Sequence, residues 1–289
     1  MTGPAVARDI RLTSELAAIA GAPAPPQAAA LLDALEPTLT EWSLNDDGDP
    51  RGALRFGSWT GDHARAEQAL RAHGQARACE LRARLPLDDM EGLGLAWSAG
   101  RPATFRWWLL APGDGTALCD AVVRGCAELA DATRALAVPC SAARCTAVGL
   151  ELGLEDGALL RSTIYFAVYD PRTAIAVLER IGCPPSPPAR AFFQGLCGLD
   201  PERRRPWPKV WVGRSVGVGG GWKVYYFARG DVPRPGDDAL LDLASASDVV
   251  RRAATCVGAA GAGSAVQLLG LTFRDHAPAP TWTPYLALR

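Results

Sequence analysis

The sequence has no surplus of positive charge: 30 Lys and Arg stand against 31 Asp and Glu in 289 residues, a formal charge of −1. Without a basic excess, nothing draws the chain to nucleic acid or to an anionic membrane surface, so polyanion binding is not its main task. The N-terminus lacks a basic segment followed by an uninterrupted apolar core, and no apolar run reaches the roughly 18 residues that suggest a membrane span. A cytoplasmic protein without a membrane partner is expected. Eight cysteines are present, at positions 79, 119, 126, 140, 145, 183, 197 and 256, but none forms a CxxC pair and only three histidines accompany them. A zinc site is disfavoured, Cys119 and Cys126 fall on one face of a helical pattern as small hydrophobes, and reduced thiols suit a cytoplasmic chain. His63, His73 and His276 are isolated, which leaves no Ser/His/Asp or Cys/His nucleophile system.

Two other site types are missing. GVGGGW has the composition of a phosphate loop, yet no Lys-Ser/Thr ends it and a strand follows, so it is a hairpin turn. The acidic runs Asp46-Asp47-Gly48-Asp49 and Asp88-Asp89-Met90-Glu91 occupy turns, not the helix a carboxylate magnesium site would need, and no protein-held metal is expected.

What is present is a core-forming chain, 48% hydrophobic with nine Trp. Its central stretch, residues 145–170, reads as two strands joined by Glu155-Asp156-Gly157. Arg161, Thr163 and Tyr165 alternate with Leu160, Ile164 and Phe166 on the return strand. Both faces carry large side chains, which suits a barrel lumen covered outside by helices. The same unit recurs. TLTEWSL and ALRFGSW precede a helix opening at Asp62; CELRARL and GLGLAWSAG lead to PATFRWWLLAP and a helix from Thr116 to about Leu136. After the central hairpin come helices at 171–181 and 189–196, then KVWVGRSVGV and WKVYYFARG with a helix from about Leu240 to Val257, then SAVQLLGLTFRD and TWTPYLALR.

Hairpins separated by helices, at a period of about sixty residues, predict one antiparallel sheet of about ten strands with every helix outside. So wide a sheet must curl, and closure removes its edges. The expected fold is α+β, a closed antiparallel ten-stranded β-barrel with a solvent-accessible lumen ringed by helices. An open sheet under one helical layer is the alternative. Residues 1–289 are expected to form a single domain, with 1–35 a helical lead-in packing outside. The Pro-rich patches at 184–188 and 201–208 read as loops within it.

Strand alternation then groups Arg106, Trp108 and Leu110; Lys223, Tyr225 and Phe227; Arg55; and Glu41 with Ser43 on the face of Thr163 and Tyr165. Cations bind phosphate oxygens and aromatic faces stabilise an organic cation, so a diphosphate that leaves a carbocation behind needs both. The plain alternative is solvated cations and a core of aromatics, with Glu41 a solvated strand-edge acid. Burying so many cations without an anionic partner would be costly, which favours a site.

Three segments carry a resemblance: VGLELGLEDGALLRSTIYFAVYDP, VGRSVGVGGGWKVYYFARGD and LTEWSLNDDGDPRGALRF. They resemble the soluble aromatic prenyltransferases of ABBA, or PT-barrel, architecture, and within them the cyanobactin-type peptide prenyltransferases, over most of the chain from about Glu36. The resemblance implies Glu41 as the acceptor-side carboxylate and catalytic base. It implies Arg55, Arg106, Thr163 and Lys223 around the diphosphate, and Trp108, Tyr165, Tyr225 and Tyr285 shielding the prenyl cation. Thr281 stands where other members have Lys, and Arg161 or Arg214 is the expected compensation. The implied enzyme is a prenyltransferase moving a dimethylallyl or geranyl group from its diphosphate, with magnesium carried on that diphosphate and no organic cofactor. Its acceptor would be a side chain of a ribosomally made, often cyclic, peptide. A small phenol or indole acceptor and a noncatalytic peptide-binding barrel are the alternatives. A monomer is expected.

Overall fold

Two helices lead the chain in, each opened by a proline whose missing N–H costs nothing in a first turn: α1 (Pro4–Ile19) and α2 (Pro26–Leu35). The computed structural model describes residues 3–44, 54–85, 90–110, 116–125, 144–168, 210–217, 220–227, 236–261, 265–274 and 281–288, and single positions at 130, 176 and 179. Leu12 and Leu16 of α1 and Leu31, Leu32 and Leu35 of α2 are fully buried. Buried polar contacts fix α1 against strand β1 (Leu39–Leu44): the Trp42 indole donates to Thr13 Oγ1 at 2.9 Å, and Thr40 donates to Asp9 Oδ2 at 2.8 Å. These contacts hold α1 against the outward-facing side chains of β1.

The strands that follow are β2 (Leu54–Thr60), β3 (Glu91–Ser98), β4 (Arg101–Leu110), β5 (Arg144–Gly153), β6 (Leu159–Val168), β7 (Val210–Gly217), β8 (Gly221–Phe227), β9 (Val266–Arg274) and β10 (Thr281–Ala287). Every pairing is antiparallel, and the order β1-β10-β9-β8-β7-β6-β5-β4-β3-β2 closes into a barrel. The seam joins the first and last strands, with Glu41 opposite Ala287 and Ser43 opposite Tyr285. That pairing replaces the open-sheet alternative and leaves no edge to protect.

Side chains alternate across the wall. Trp42, Phe56, Phe105, Trp107, Ile164, Phe166, Val212 and Leu271 point outward into the main core, shared with the helices, while Ala147, Tyr165, Tyr225 and Leu268 cluster inside with Trp108, Leu110, Trp211 and Tyr285.

Several local expectations change. Helix α3 (His63–Ala72) opens at Asp62, whose carboxylate accepts from the Ala64 and Arg65 amides. CELRARL, expected beside the second hairpin, instead falls largely in α4 (Ala76–Arg82), which buries Ala78 and Leu81 three residues apart. That spacing fits a helical stripe better than strand alternation. The helix expected at 240–257 is two, α6 (Asp237–Leu243) and α7 (Asp248–Ala260), after α5 (Thr116–Gly125). Ser245 breaks it in a left-handed conformation (φ 49°), and Ser247 caps the restart through Val250 N–H. Glu91 is no turn residue; it begins β3, fully buried. Nor is His63 isolated, since its Nδ1 lies 2.8 Å from Glu91 Oε1. The turn at 45–53, Asp88-Asp89, the helix beyond Gly125 except position 130, most of 171–181, all of 189–196, both Pro-rich patches, and His276 lie outside the described residues. Among the described residues no helix is long and apolar enough to cross a membrane.

Candidate active site

The lumen holds a cavity of about 260 Å³ lined by Glu41, Arg55, Arg106, Trp108, Tyr165, Tyr225 and Tyr285 among others. Register explains why these converge. Across β1 to β6, Glu41, Gly57, Gly94, Arg106, Glu151 and Arg161 are successive partners on the inner face. The adjoining row runs Trp59, Gly92, Trp108, Gly149, Thr163, Ser215, and a third runs Tyr165, Gly213, Lys223, Thr272, Thr281. Charges and rings thus occupy neighbouring rows of one wall.

The rings lie where glycines leave room. A β-carbon on Gly149 would meet Trp108 Cδ1 at 3.1 Å, and one on Gly270 would stand 3.0 Å from Tyr225 Cε1 and 3.1 Å from Tyr285 Cε2. The rings also touch one another: Tyr165 and Tyr225 centroids are 5.7 Å apart, Tyr225 and Tyr285 5.7 Å, and Trp59 and Trp108 6.2 Å. The tyrosines pack edge to face and the two tryptophans at a tilt, which adds to the burial each ring supplies. The cavity is thereby lined with aromatic rings, whose π-systems attract an organic cation. Burial, with Tyr285 nearby, pushes the Tyr165 phenol up against the opposing effects of Arg106, the Tyr225 hydrogen bond and Arg161, so the ring stays neutral at pH 7.

The cations divide by environment. Arg106 lines the cavity with its guanidinium 4.7 Å from the Trp108 ring centroid, and Arg55, 1% exposed, lies 5.8 Å from that of Tyr285. Lys223 is buried to 1% on the Tyr165 row. Thr163 is also buried, its hydroxyl 2.7 Å from that of Ser215. Arg161, expected as a diphosphate ligand, is engaged by Glu151, a carboxylate that also accepts from Thr104 at 3.0 Å and lies 3.9 Å from Arg106 Nε. The inner wall therefore carries an anionic partner for its cations, brought to Arg161 by the register of β5 with β6. Arg214 cannot compensate for Thr281: it shares the outer face of Val212 and stacks on Trp222, 5.1 Å from the ring centroid. Arg274 was missed. It follows Thr272 by two on β9 and pairs with Gly221, the partner of Ser215, which puts a further cation on the inner face.

Glu41 lines the cavity, and the Trp59 indole donates to its Oε2 at 3.3 Å. Trp59, Trp211 and Glu151 extend the site beyond the sequence reading, and all three obey the alternation of Arg55-Gly57-Trp59, Trp211-Gly213-Ser215 and Gly149-Glu151-Gly153. The signal was there to read. Among the described residues no group of three or more His, Cys, Asp or Glu side chains is placed to hold a metal ion. The carboxylates described here are engaged by Trp59 and Arg161, so the wall does not fit a magnesium site of its own.

No protein-family model matches the sequence, and no curated protein matches it. Solved structures do. A 6-dimethylallyltryptophan synthase from Micromonospora olivasterospora, in complex with DMASPP and Trp, has a TM-score of 0.69 at 17% identity, covering 98% of this chain and 97% of that chain. Prenyltransferase PriB, in a ternary complex with L-tryptophan and dimethylallyl thiolodiphosphate, gives 0.61 at 16% identity over 98% and 95%. AnaPT from Neosartorya fischeri gives 0.56 at 10% identity over 86% and 77%. At such identities the likeness is one of architecture, and the chain has the closed ten-stranded barrel of the ABBA prenyltransferases.

Proposed function

We propose that the chain is a prenyltransferase that moves a dimethylallyl group, or a longer prenyl group, from its diphosphate to an electron-rich aromatic acceptor. One observation carries the reading: Arg55 and Arg106 border the same cavity as Trp108, Tyr165, Tyr225 and Tyr285, with Glu41 on its wall. The allylic C1–O bond breaks and the diphosphate departs with the electron pair toward Arg55, Arg106 and Lys223. The rings enclose the allylic cation and exclude water, an acceptor carbon or heteroatom bonds to C1, and Glu41 takes the acceptor proton. Magnesium, where it takes part, arrives on the diphosphate oxygens as part of the substrate.

A cavity of about 260 Å³ is at the small end of ligand sites and favours a short donor with a flat acceptor such as an indole or phenol. The two neighbours solved with tryptophan support that choice. A peptide side chain is the second reading, supported by the resemblance of the central and fourth hairpins to peptide prenyltransferases. The test is incubation with dimethylallyl or geranyl diphosphate and magnesium against free tryptophan, indoles, phenols, and linear and cyclic peptides. Prenylated product with a free aromatic supports the first reading, and product with peptides alone the second. No diphosphate release with any acceptor, together with no binding of a thiolodiphosphate donor analogue, removes both and leaves a noncatalytic barrel.

A further inference from the structure

Glu151 is a buried carboxylate, 6% exposed, on the wall that supplies the cations. Its partners among the described residues are Thr104, Arg161 and, at 3.9 Å, Arg106 Nε. Register fixes it between those two arginines, with Arg106 opposite on β4 and Arg161 opposite on β6. Arg106 lines the cavity and carries its guanidinium over Trp108, whereas Glu151 and Arg161 follow it along the same inner row and are not among the residues lining the cavity. A bound diphosphate and the Glu151 carboxylate would thus be two anions competing for the same guanidinium groups. At such separations in a partly desolvated wall the repulsion is large enough to set binding constants.

We infer that Glu151 is an internal competitor for the leaving diphosphate, a positioning residue that keeps Arg161 from clamping the product and speeds its release. The inference rests on the proposed function. While the donor is bound, the π-enclosed prenyl tail adds to the hold on the diphosphate. Once C1 has bonded to the acceptor, the free diphosphate is retained by the cations alone, and the carboxylate weakens that hold. The uncharged amide of Glu151→Gln keeps the shape and the Thr104 contact but removes the competing charge.

The experiment measures inorganic diphosphate binding by calorimetry and as product inhibition, with kcat and KM for the donor, in the wild type, E151Q, R161Q and the double variant. In E151Q, diphosphate is expected to bind about tenfold tighter, with KM and kcat both falling as release becomes limiting. R161Q, which strands the carboxylate, should move binding the other way, and the charge-neutral double variant should return to within about threefold of wild type. A solely structural Glu151 would lower the unfolding midpoint and leave diphosphate affinity unchanged. That result in E151Q, or in the double variant a loss as large as in R161Q, overturns the inference while leaving the proposed function intact. If E151Q does not fold, the opposite shifts required of R161Q and the double variant decide the matter. A wild type that binds no inorganic diphosphate sinks the inference and the proposed function together.

Discussion

The Tyr165 ring fills the space over Gly213: a β-carbon built on that glycine would stand 2.7 Å from the ring's Cδ1 and 3.0 Å from Cε1. Gly213 is the register partner of Tyr165 on β7, so the ring's position is set by a side chain its neighbour does not have.

Gly213→Ala should therefore push the ring out of place. Overpacking of this kind costs about 1–3 kcal/mol, read as a lower midpoint in denaturant. With one wall of the cation's enclosure disturbed, a larger share of donor should be captured by water, seen as prenyl alcohol in the product chromatogram. An unchanged ratio of alcohol to prenylated acceptor would show that Tyr165 does not screen the cation.

Glu41→Gln should separate binding from turnover. The amide retains the hydrogen bond from Trp59 but cannot take a proton, so kcat should fall about 10²–10⁴-fold. Calorimetry should find the affinity for a thiolodiphosphate analogue close to that of the wild type. Trp59→Phe, which leaves the carboxylate without the indole N–H 3.3 Å away, should lower kcat by a smaller factor.

The cation at position 274 is expected to replace the one Thr281 lacks. Thr281 pairs with Thr272, two residues before Arg274 on the strand that neighbours Lys223. Arg274→Gln should raise KM for the donor about tenfold, the scale of one charge-assisted hydrogen bond, and adding Thr281→Lys should recover much of it. Equal KM values in Arg274→Gln and wild type would place the side chain outside the diphosphate's reach.

Glu91 predicts a defect of the opposite kind. Fully buried on the outer face of β3, it accepts from Trp107 Nε1 at 3.0 Å, from Arg82 Nη2 at 3.0 Å, and lies 2.8 Å from His63 Nδ1. Glu91→Ala strands these groups, and breaking a buried pair costs about 3–5 kcal/mol. Equilibrium unfolding should register that loss, while kcat of the protein that remains folded stays near wild type because the cluster faces away from the lumen.

The inner face of β6 was readable because Arg161, Thr163 and Tyr165 recur at every second position against the outward Leu160, Ile164 and Phe166, with Ser162 the one polar residue between them, a period that fits a strand. Barrel closure followed from the cost of two long edges. The role of Arg161 was not readable, since its partner Glu151 sits on another strand and only register brings the two together. Arg214 misled for a related reason: its charge fits a phosphate site, but its even-numbered place on β7 sends it outward. CELRARL was ambiguous because a segment so short satisfies either period. The break at Ser245 had no glycine to announce it, as a serine holds the left-handed conformation there.

The seam between Ser43 and Tyr285 also orders events in time. While the nascent chain is still on the ribosome, the strand bearing Glu41 has a neighbour on one side only, and the last hairpin must emerge before the other side is covered. Such a distant contact forms late. An arrested chain ending before residue 281 would carry every arginine discussed above and yet have no sealed vessel in which to hold a substrate.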